Sequence, residues 1–307
     1  VSGRAGGVLA AVITHNPDAG FPDRLAALAA QVEVVVVDNG SDNRSSVEAA
    51  AHATRSDLIC NGRNLGTAAA LNQAAQLAMR LGFTWLAAFD QDSTLASGAV
   101  QSILDTYEAH PDRERIAVIA TSRINARSGR PYGGPANTLL ESTDWRAVRT
   151  TMTSGSFVLL KAYNTIGPFD ISLFIDSVDH EFCLRCRRNG FIIVEVKTIM
   201  MRHALGYSEV HSLFWRRYSA KNYSPDRHYY MTRNLFELFY RYSTFDPKFC
   251  AYILDYRVKL ILKALLFERD RLQKLIAIVQ GIGDFFARKS GPRVPDARER
   301  RRNRLTD

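Results

Sequence analysis

The sequence predicts an α/β protein: a Rossmann-like, mostly parallel sheet sandwiched by helices, with a helical extension toward the C-terminal end. Three observations carry this expectation. Over the first 120 residues, apolar runs suited to strands alternate with amphipathic segments suited to helices. The strand-like runs are nearly free of polar residues, as strands covered on both faces must be. From about residue 208 onward the pattern turns helical.

Taken in order, "VLAAVI" (8–13), "VEVVVV" (32–37) and "TWLAAF" (84–89) read as buried strands, and "DLIC" (57–60) as a weaker one. Helical segments near 21–31, 44–53 and 66–82 separate them, the last repeating Ala and Leu at helical spacing. Residues 121–153 read as loop-rich, with "RSGRPYGGPAN" as the clearest turn signal. "SGSFVLLKAYNTIGPFD" then reads as a strand and a short helix. In "FIDSVDHEFCLRCRRNGFIIV", Ser177 suits an N-cap, Phe182, Cys183 and Cys186 share an inward face, and Gly190 ends the helix before another strand. Two amphipathic helices follow at 250–267 and 271–289, and the tail "RERRRNR" (298–304) carries five Arg and one Glu.

Composition sets the class. Hydrophobic residues are 46% and charged residues 23% of 307, the balance of a folded globular chain with a substantial core. Lys and Arg number 40 against 31 Asp and Glu, and the resulting +9 favours anionic partners: nucleotide sugars, anionic lipid or nucleic acid. Of the four cysteines, Cys183 and Cys186 have the spacing of a redox or zinc pair, but no second pair completes a four-ligand site. They read as packed helix residues in a reduced, cytosolic chain. No apolar stretch reaches the roughly 18–20 residues that cross a bilayer, and the opening segment lacks a complete secretion signal, so a cytoplasmic protein is expected.

The strand ends carry the chemistry. Thr14, His15 and Asn16 follow the first run, Asp38, Asn39 and Gly40 the second, and Asp90 and Asp92 the last. In open parallel sheets ligands gather at the carboxyl ends of strands, so three such clusters suit one shared crevice. Asp, Asn and Gly are also ordinary turn residues, and each cluster alone equally fits a turn. Asp-x-Asp by itself occurs by chance roughly once in a chain this long. Two carboxylates leaving one strand end repel unless a cation lies between them, and hard carboxylate oxygens suit Mg²⁺ or Mn²⁺, which typically bridge to phosphate.

From about residue 8 to 235 an ordered series of segments resembles the inverting glycosyltransferases of family 2, and among them the bacterial rhamnosyltransferases. The series is "VITHNP", "VVVVDNGS", "NLGTAAALN", "FDQDS", "TSGSFVLL", "GPFDISLFIDSVDHEFCLR", "MRHALG" and "HYYMTRN". The resemblance implies the fold called GT-A, with a nucleotide-sugar-binding and catalytic domain over 1–207. It leaves 208–307 as a helical region with a basic tail, offering acceptor or membrane-surface contact.

Matched motif by motif, the resemblance implies that Thr14, Asn16 and Asp38 hold the nucleoside. A carboxylate at 38 can accept the imide N–H that uracil and thymine share, and so does not separate the two bases. Gly66 lets backbone approach the donor diphosphate, with Arg63 supplying positive charge, although a helix start also favours a small residue. Asp90 and Asp92 bind the divalent cation with His203 as a further ligand, Asp90 also facing the donor. Asp179 is the implied general base. Its place in the first helical turn suits an ionised carboxylate, the lesser reading being a simple helix-start acid. Ser154 and Gly155 belong to the floor of the acceptor site, and Asp176 and Glu181 position the acceptor or orient Arg185. Arg233 closes over sugar and diphosphate, or packs with the neighbouring aromatics.

The expected reaction is transfer of L-rhamnose from dTDP-L-rhamnose to a hydroxyl of a lipid-linked or polysaccharide acceptor, at the inner face of the cell membrane. Galactofuranosyl or hexosyl transfer from a UDP donor is the nearest alternative. A basic nucleic-acid-binding protein is the alternative of another class; it requires affinity that collapses with salt and survives loss of Asp90 and Asp92. With the expected acids all present, no nucleic-acid partner is expected.

Overall fold

The computed structural model describes residues 7–125, 137–203, 209–213, 216–220 and 222–293, without side chains for 123–125, 200 and 202–220. The first part alternates as the sequence predicts: β1 (Val8–Thr14), α1 (Phe21–Ala29), β2 (Glu33–Asp38), α2 (Arg44–Ala53), β3 (Asp57–Cys60), α3 (Thr67–Arg80), β4 (Trp85–Asp90) and α4 (Ala99–Ala109). The four strands pair in parallel in the spatial order β3-β2-β1-β4. The Val, Ala, Leu and Phe side chains of β1, β2 and β4 are buried because helices cover both faces, while the apolar side chains of the edge strand β3 are partly buried. Helix α3 presses Ala68, Ala70, Leu71, Ala74, Ala75 and Ala78 inward, and small residues let it lie close to β1 and β4.

Beyond β4 the sheet continues through β5 (Ile116–Asn125), β6 (Thr138–Glu141), β7 (Trp145–Val148), β8 (Ser156–Leu159) and β9 (Ile192–His203), with α5 (Leu160–Ile166) and α6 (Val178–Arg188) between the last two strands. The complete order is β3-β2-β1-β4-β8-β5-β9-β7-β6. Strand β8 runs antiparallel to both β4 and β5. Its N-terminal end therefore lies beside the carboxyl end of β4. The expectation of loops over 121–153 is corrected: β5 extends to Asn125, and β6 and β7 form an antiparallel edge on β9. Leu139 and Leu140 of β6 are exposed, so no buried apolar run announces this edge, which exists because β9 offers it hydrogen bonds.

The C-terminal part opens with a hairpin of β10 (Glu209–Leu213) and β11 (Arg216–Ala220), a second departure from the wholly helical expectation. Three helices follow: α7 (Pro225–Tyr242), α8 (Pro247–Phe267) and α9 (Arg271–Phe286). Leu235, Leu238, Tyr242, Phe249, Cys250 and Ile253 bury against Leu184 of α6. Tyr229, Tyr230 and Ala277 pack on Phe174 and Ile175, so these helices sit on the segment that leads into α6.

Candidate active site

Register builds the first half of the site. Thr14 pairs with Asp38 at the ends of β1 and β2, and Ile13 pairs with Asp90 of β4, so three polar strand ends share one edge of the sheet. Asp38 is 1% exposed, and its carboxylate accepts the Thr14 hydroxyl at 3.2 Å, the Ser41 amide at 3.2 Å and the Ser41 hydroxyl at 2.5 Å. A buried carboxylate persists only with such donors around it. Asn16, at φ 50°, exchanges two bonds with Asp42, its Nδ2 donating at 3.0 Å and its Oδ1 accepting at 2.7 Å.

The loop before α3 joins this edge. Asn39, Asn61, Asn64 and Gln73 hydrogen-bond one another, and the Leu65 and Gly66 amides donate to Asn39 and Asn64. Gly66 has φ 86°, and a Cβ there would lie 2.5 Å from the Phe174 carbonyl oxygen. Gly40 has φ 85°, and its Cβ would meet the Arg63 backbone at 2.6 Å. Close backbone approach accounts for both glycines. The Arg63 side chain is exposed beside them.

The second half comes from the strand that runs the other way. The Asp90 amide donates to Ser154 Oγ at 3.0 Å, Ser154 Oγ lies 2.6 Å from Ser93 Oγ, and the Gly155 amide donates to the Ala88 carbonyl at 2.8 Å. One residue earlier, the Thr153 amide donates to Asp179 Oδ2 at 3.3 Å, and Asp179 Oδ1 accepts the His180 amide at 2.8 Å. Asp90, Ser154, Thr153 and Asp179 thus form one connected line. Thr151, Met152, Thr153, Phe182 and Cys183 wall a small, mostly apolar cavity of about 20 Å³ beside Asp179.

Asp90 and Asp92, both partly exposed, leave the turn after β4, and Gln91 between them accepts the His15 amide at 2.8 Å. Two hard-oxygen ligands at the sheet's carboxyl edge fit Mg²⁺ or Mn²⁺ in donor chemistry. Among the described residues no group of three metal-ligating side chains assembles. The His203 side chain lies outside the described residues; its backbone ends β9, paired with Asn125.

Three expected site residues are not brought to this edge. Arg233, 3% exposed, spends its guanidinium on the carbonyls of Ser172, Leu173 and Gly291. Glu181 is 2% exposed and accepts from Arg185 at 2.9 Å and the Tyr242 hydroxyl at 2.9 Å. Asp176 pairs with Arg257 at 2.5 Å; burial pushes its carboxyl up, but Arg257 and its other polar neighbours outweigh that and hold it below the ordinary value. Ser177 occupies the N-cap position in a left-handed conformation, φ 64°, and its hydroxyl donates to Asp176 rather than capping the helix. Sequence reading missed Ser41, Thr153, Asn234 and Arg257. Only Ser41 carried a local signal, standing three residues past a strand-end Asp.

The glycosyl transferase family 2 model matches residues 10–161. A dTDP-rhamnosyl transferase of Shigella flexneri, RfbF, is 29% identical over 245 residues, covering 75% of this chain and 79% of that protein. Among solved structures, a Pyrobaculum calidifontis mannosyltransferase in complex with GDP-Man and Mn²⁺ superposes with TM-score 0.59 at 16% identity, over 92% of this chain and 76% of that one. Residues 1–349 of S. aureus TarS in complex with UDP-GlcNAc give 0.53 at 16% identity, over 91% and 80%. These likenesses establish the fold, and the sequence matches establish glycosyl transfer as the activity. The chain is a glycosyltransferase whose residues 10–161 match the family 2 model and whose sequence is similar to that of a rhamnosyltransferase.

Proposed function

We propose that this enzyme transfers L-rhamnose from dTDP-L-rhamnose, with inversion, to a hydroxyl of a lipid-linked or polysaccharide acceptor. The observation that carries the reading is the unbroken line from Asp90 through Ser154 and Thr153 to Asp179, at the edge where β1, β2 and β4 end. The Shigella relative, a dTDP-rhamnosyl transferase, supports the donor. Thr14, Asn16 and Asp38 receive the nucleoside, Asp38 accepting the imide N–H of thymine. Gly66 and Arg63 meet the diphosphate. Ser154 and Gly155 face the acceptor.

In the displacement, Asp179 accepts the proton of the acceptor hydroxyl as that oxygen bonds to the anomeric carbon. The bond from that carbon to the diphosphate breaks from the opposite face, its electron pair passing to the leaving oxygen. Asp90, Asp92 and His203 are the residues to hold a divalent cation, which when bound neutralises charge on the leaving group. Asp176, Glu181 and Arg233, committed to internal partners, support this arrangement and do not touch the sugar.

We also assign the acceptor side to an anionic lipid surface at the inner face of the cell membrane. Leu254, Val258, Leu262 and Leu266 recur every fourth residue on the exposed side of α8, and Leu272, Leu275, Ile276 and Val279 are exposed on α9. Exposed Lys259, Arg269, Arg271, Arg288 and Lys289 flank them, which suits an amphipathic contact with acidic headgroups. No helix among the described residues is long and apolar enough to cross a membrane.

A donor screen tests the reaction. Release of nucleoside diphosphate from dTDP-L-rhamnose, UDP-galactofuranose and UDP-hexoses is followed with Mn²⁺, Mg²⁺ or a chelator. Fastest turnover is expected with dTDP-L-rhamnose and a divalent cation, and Asp179→Asn should lower kcat by about 10²–10⁴-fold. A faster UDP sugar replaces the donor assignment, and wild-type turnover by Asp179→Asn removes Asp179 from its role.

A further inference from the structure

Between Asp170 and α6 the chain adopts backbone that residues with a Cβ rarely take. Phe174, Asp176 and Ser177 have φ of 63°, 66° and 64°. Left-handed conformations of this kind persist only where the surroundings over-determine them.

The surroundings here come from the C-terminal helices. Asn234, 0% exposed, points Nδ2 at the carbonyls of Leu173, Ile175 and Asp176, at 3.0, 2.9 and 2.8 Å. Its Oδ1 accepts Arg233 Nε at 3.0 Å, which fixes which way the amide faces. Arg233 reaches Ser172 and Leu173 at 3.0 and 3.1 Å, and ties them to Gly291 at 2.7 Å. Arg257 binds the Asp176 carboxylate at 2.5 Å. Phe174 stacks on Tyr230 with ring centroids 5.1 Å apart.

What is held borders both halves of the site. On one side, the Phe174 carbonyl rests where a Cβ on Gly66 would stand. On the other, the loop ends at Ser177, and Asp179 is the second residue of the helix that begins there. The two Nδ2 hydrogens of Asn234, shared among the carbonyls of Leu173, Ile175 and Asp176, hold this backbone at three points rather than one.

We propose that Arg233, Asn234 and Arg257 form a latch of positioning residues that sets the start of α6 and hence the carboxylate of Asp179. The inference rests on the reading of Asp179 as general base. It makes the C-terminal helices part of the catalytic centre, more than 50 residues along the chain from Asp179. These side chains touch neither donor nor acceptor.

The test uses the full chain and Asn234→Ala, with two independent readouts. Backbone amide exchange over 173–177, measured without ligand, should quicken clearly in the variant while the central strands stay protected. With the donor that wild type turns over fastest, kcat should fall about 10- to 100-fold, the scale of a misplaced catalytic group, while donor KM changes less than about twofold. In an Asp179→Asn background the same substitution should add almost nothing, because the group it positions is already disabled; a general loss of folding would multiply instead. Unchanged exchange, or faster exchange with wild-type kcat, overturns the latch. If Asp179→Asn keeps wild-type turnover, the general-base reading fails, and the exchange result still judges the contact. Should Asn234→Ala not fold, Asn234→Gln displaces the amide by one methylene and takes the same measurements.

Discussion

Gly66 shows how much one missing Cβ decides. Its φ of 86° is unfavourable for any other residue, and the space a Cβ needs holds the Phe174 carbonyl. Gly62, four residues earlier, has φ 63° but open space around it. Gly62→Ala should therefore cost only backbone strain, about 1 kcal/mol. Gly66→Ala should cost more, about 2 kcal/mol or above by adding a clash to that strain, and should also lower turnover by displacing the Phe174 loop. Thermal midpoints and kcat of the two variants, measured side by side, check this; equal effects would remove the close approach as the cause. The glycine itself was legible as a helix opening. Its tight partner, 108 positions further along, was not.

At the scale of elements, Asp246 joins three of them. Its Oδ1 caps α8 by accepting the Phe249 amide at 3.0 Å. The same carboxylate accepts Arg149, just past β7, at 2.5 Å and Arg187 of α6 at 2.6 Å. All three side chains are mostly buried, at 3%, 14% and 13% exposed. Burial raises the Asp246 carboxyl, but its bonds to Arg149 and Arg187 outweigh that and leave it below its ordinary value of 3.8. A lowered folded value means that the stabilisation is complete above the unfolded pKa of about 3.9 and is lost as pH falls through the lower folded value. Thermal midpoint should thus drop below about pH 4, and Asp246→Asn should lack that part of the acid dependence. Asp246→Ala at neutral pH should destabilise by about 3–5 kcal/mol, since it strands two buried guanidinium groups. Denaturant titration reads it directly. A loss under about 1 kcal/mol would show that the cluster contributes little. "DPKF" announces a helix start in sequence, yet neither arginine partner is near it.

For the whole molecule, the basic and apolar outer side of α8 and α9 predicts where the enzyme works. It should sediment with vesicles containing anionic phosphatidylglycerol at low salt, and much less with phosphatidylcholine alone or at high salt, where screening shortens electrostatic reach. Leu262→Glu and Leu266→Glu together should abolish sedimentation and leave donor turnover unchanged. If the wild type stays in the supernatant with anionic vesicles while sizing as a dimer, the exposed leucines cover a second copy, and the lipid assignment falls.

Local periodicity was enough to determine β1 to β4, α1 to α3, the buried face of α6 and helices α8 and α9, because burial on both faces of a parallel sheet leaves a pattern in consecutive residues. The polar strand ends were legible for the same reason. Only tertiary structure decided the β6–β7 edge, whose side chains carry little burial signal, and the β10–β11 hairpin. It alone decided that Ser154 reaches Asp90 across antiparallel strands, and that Arg233 donates to loop carbonyls. A hydrogen bond between residues 60 or more apart depends on where the chain returns, and such a contact leaves no local period to read.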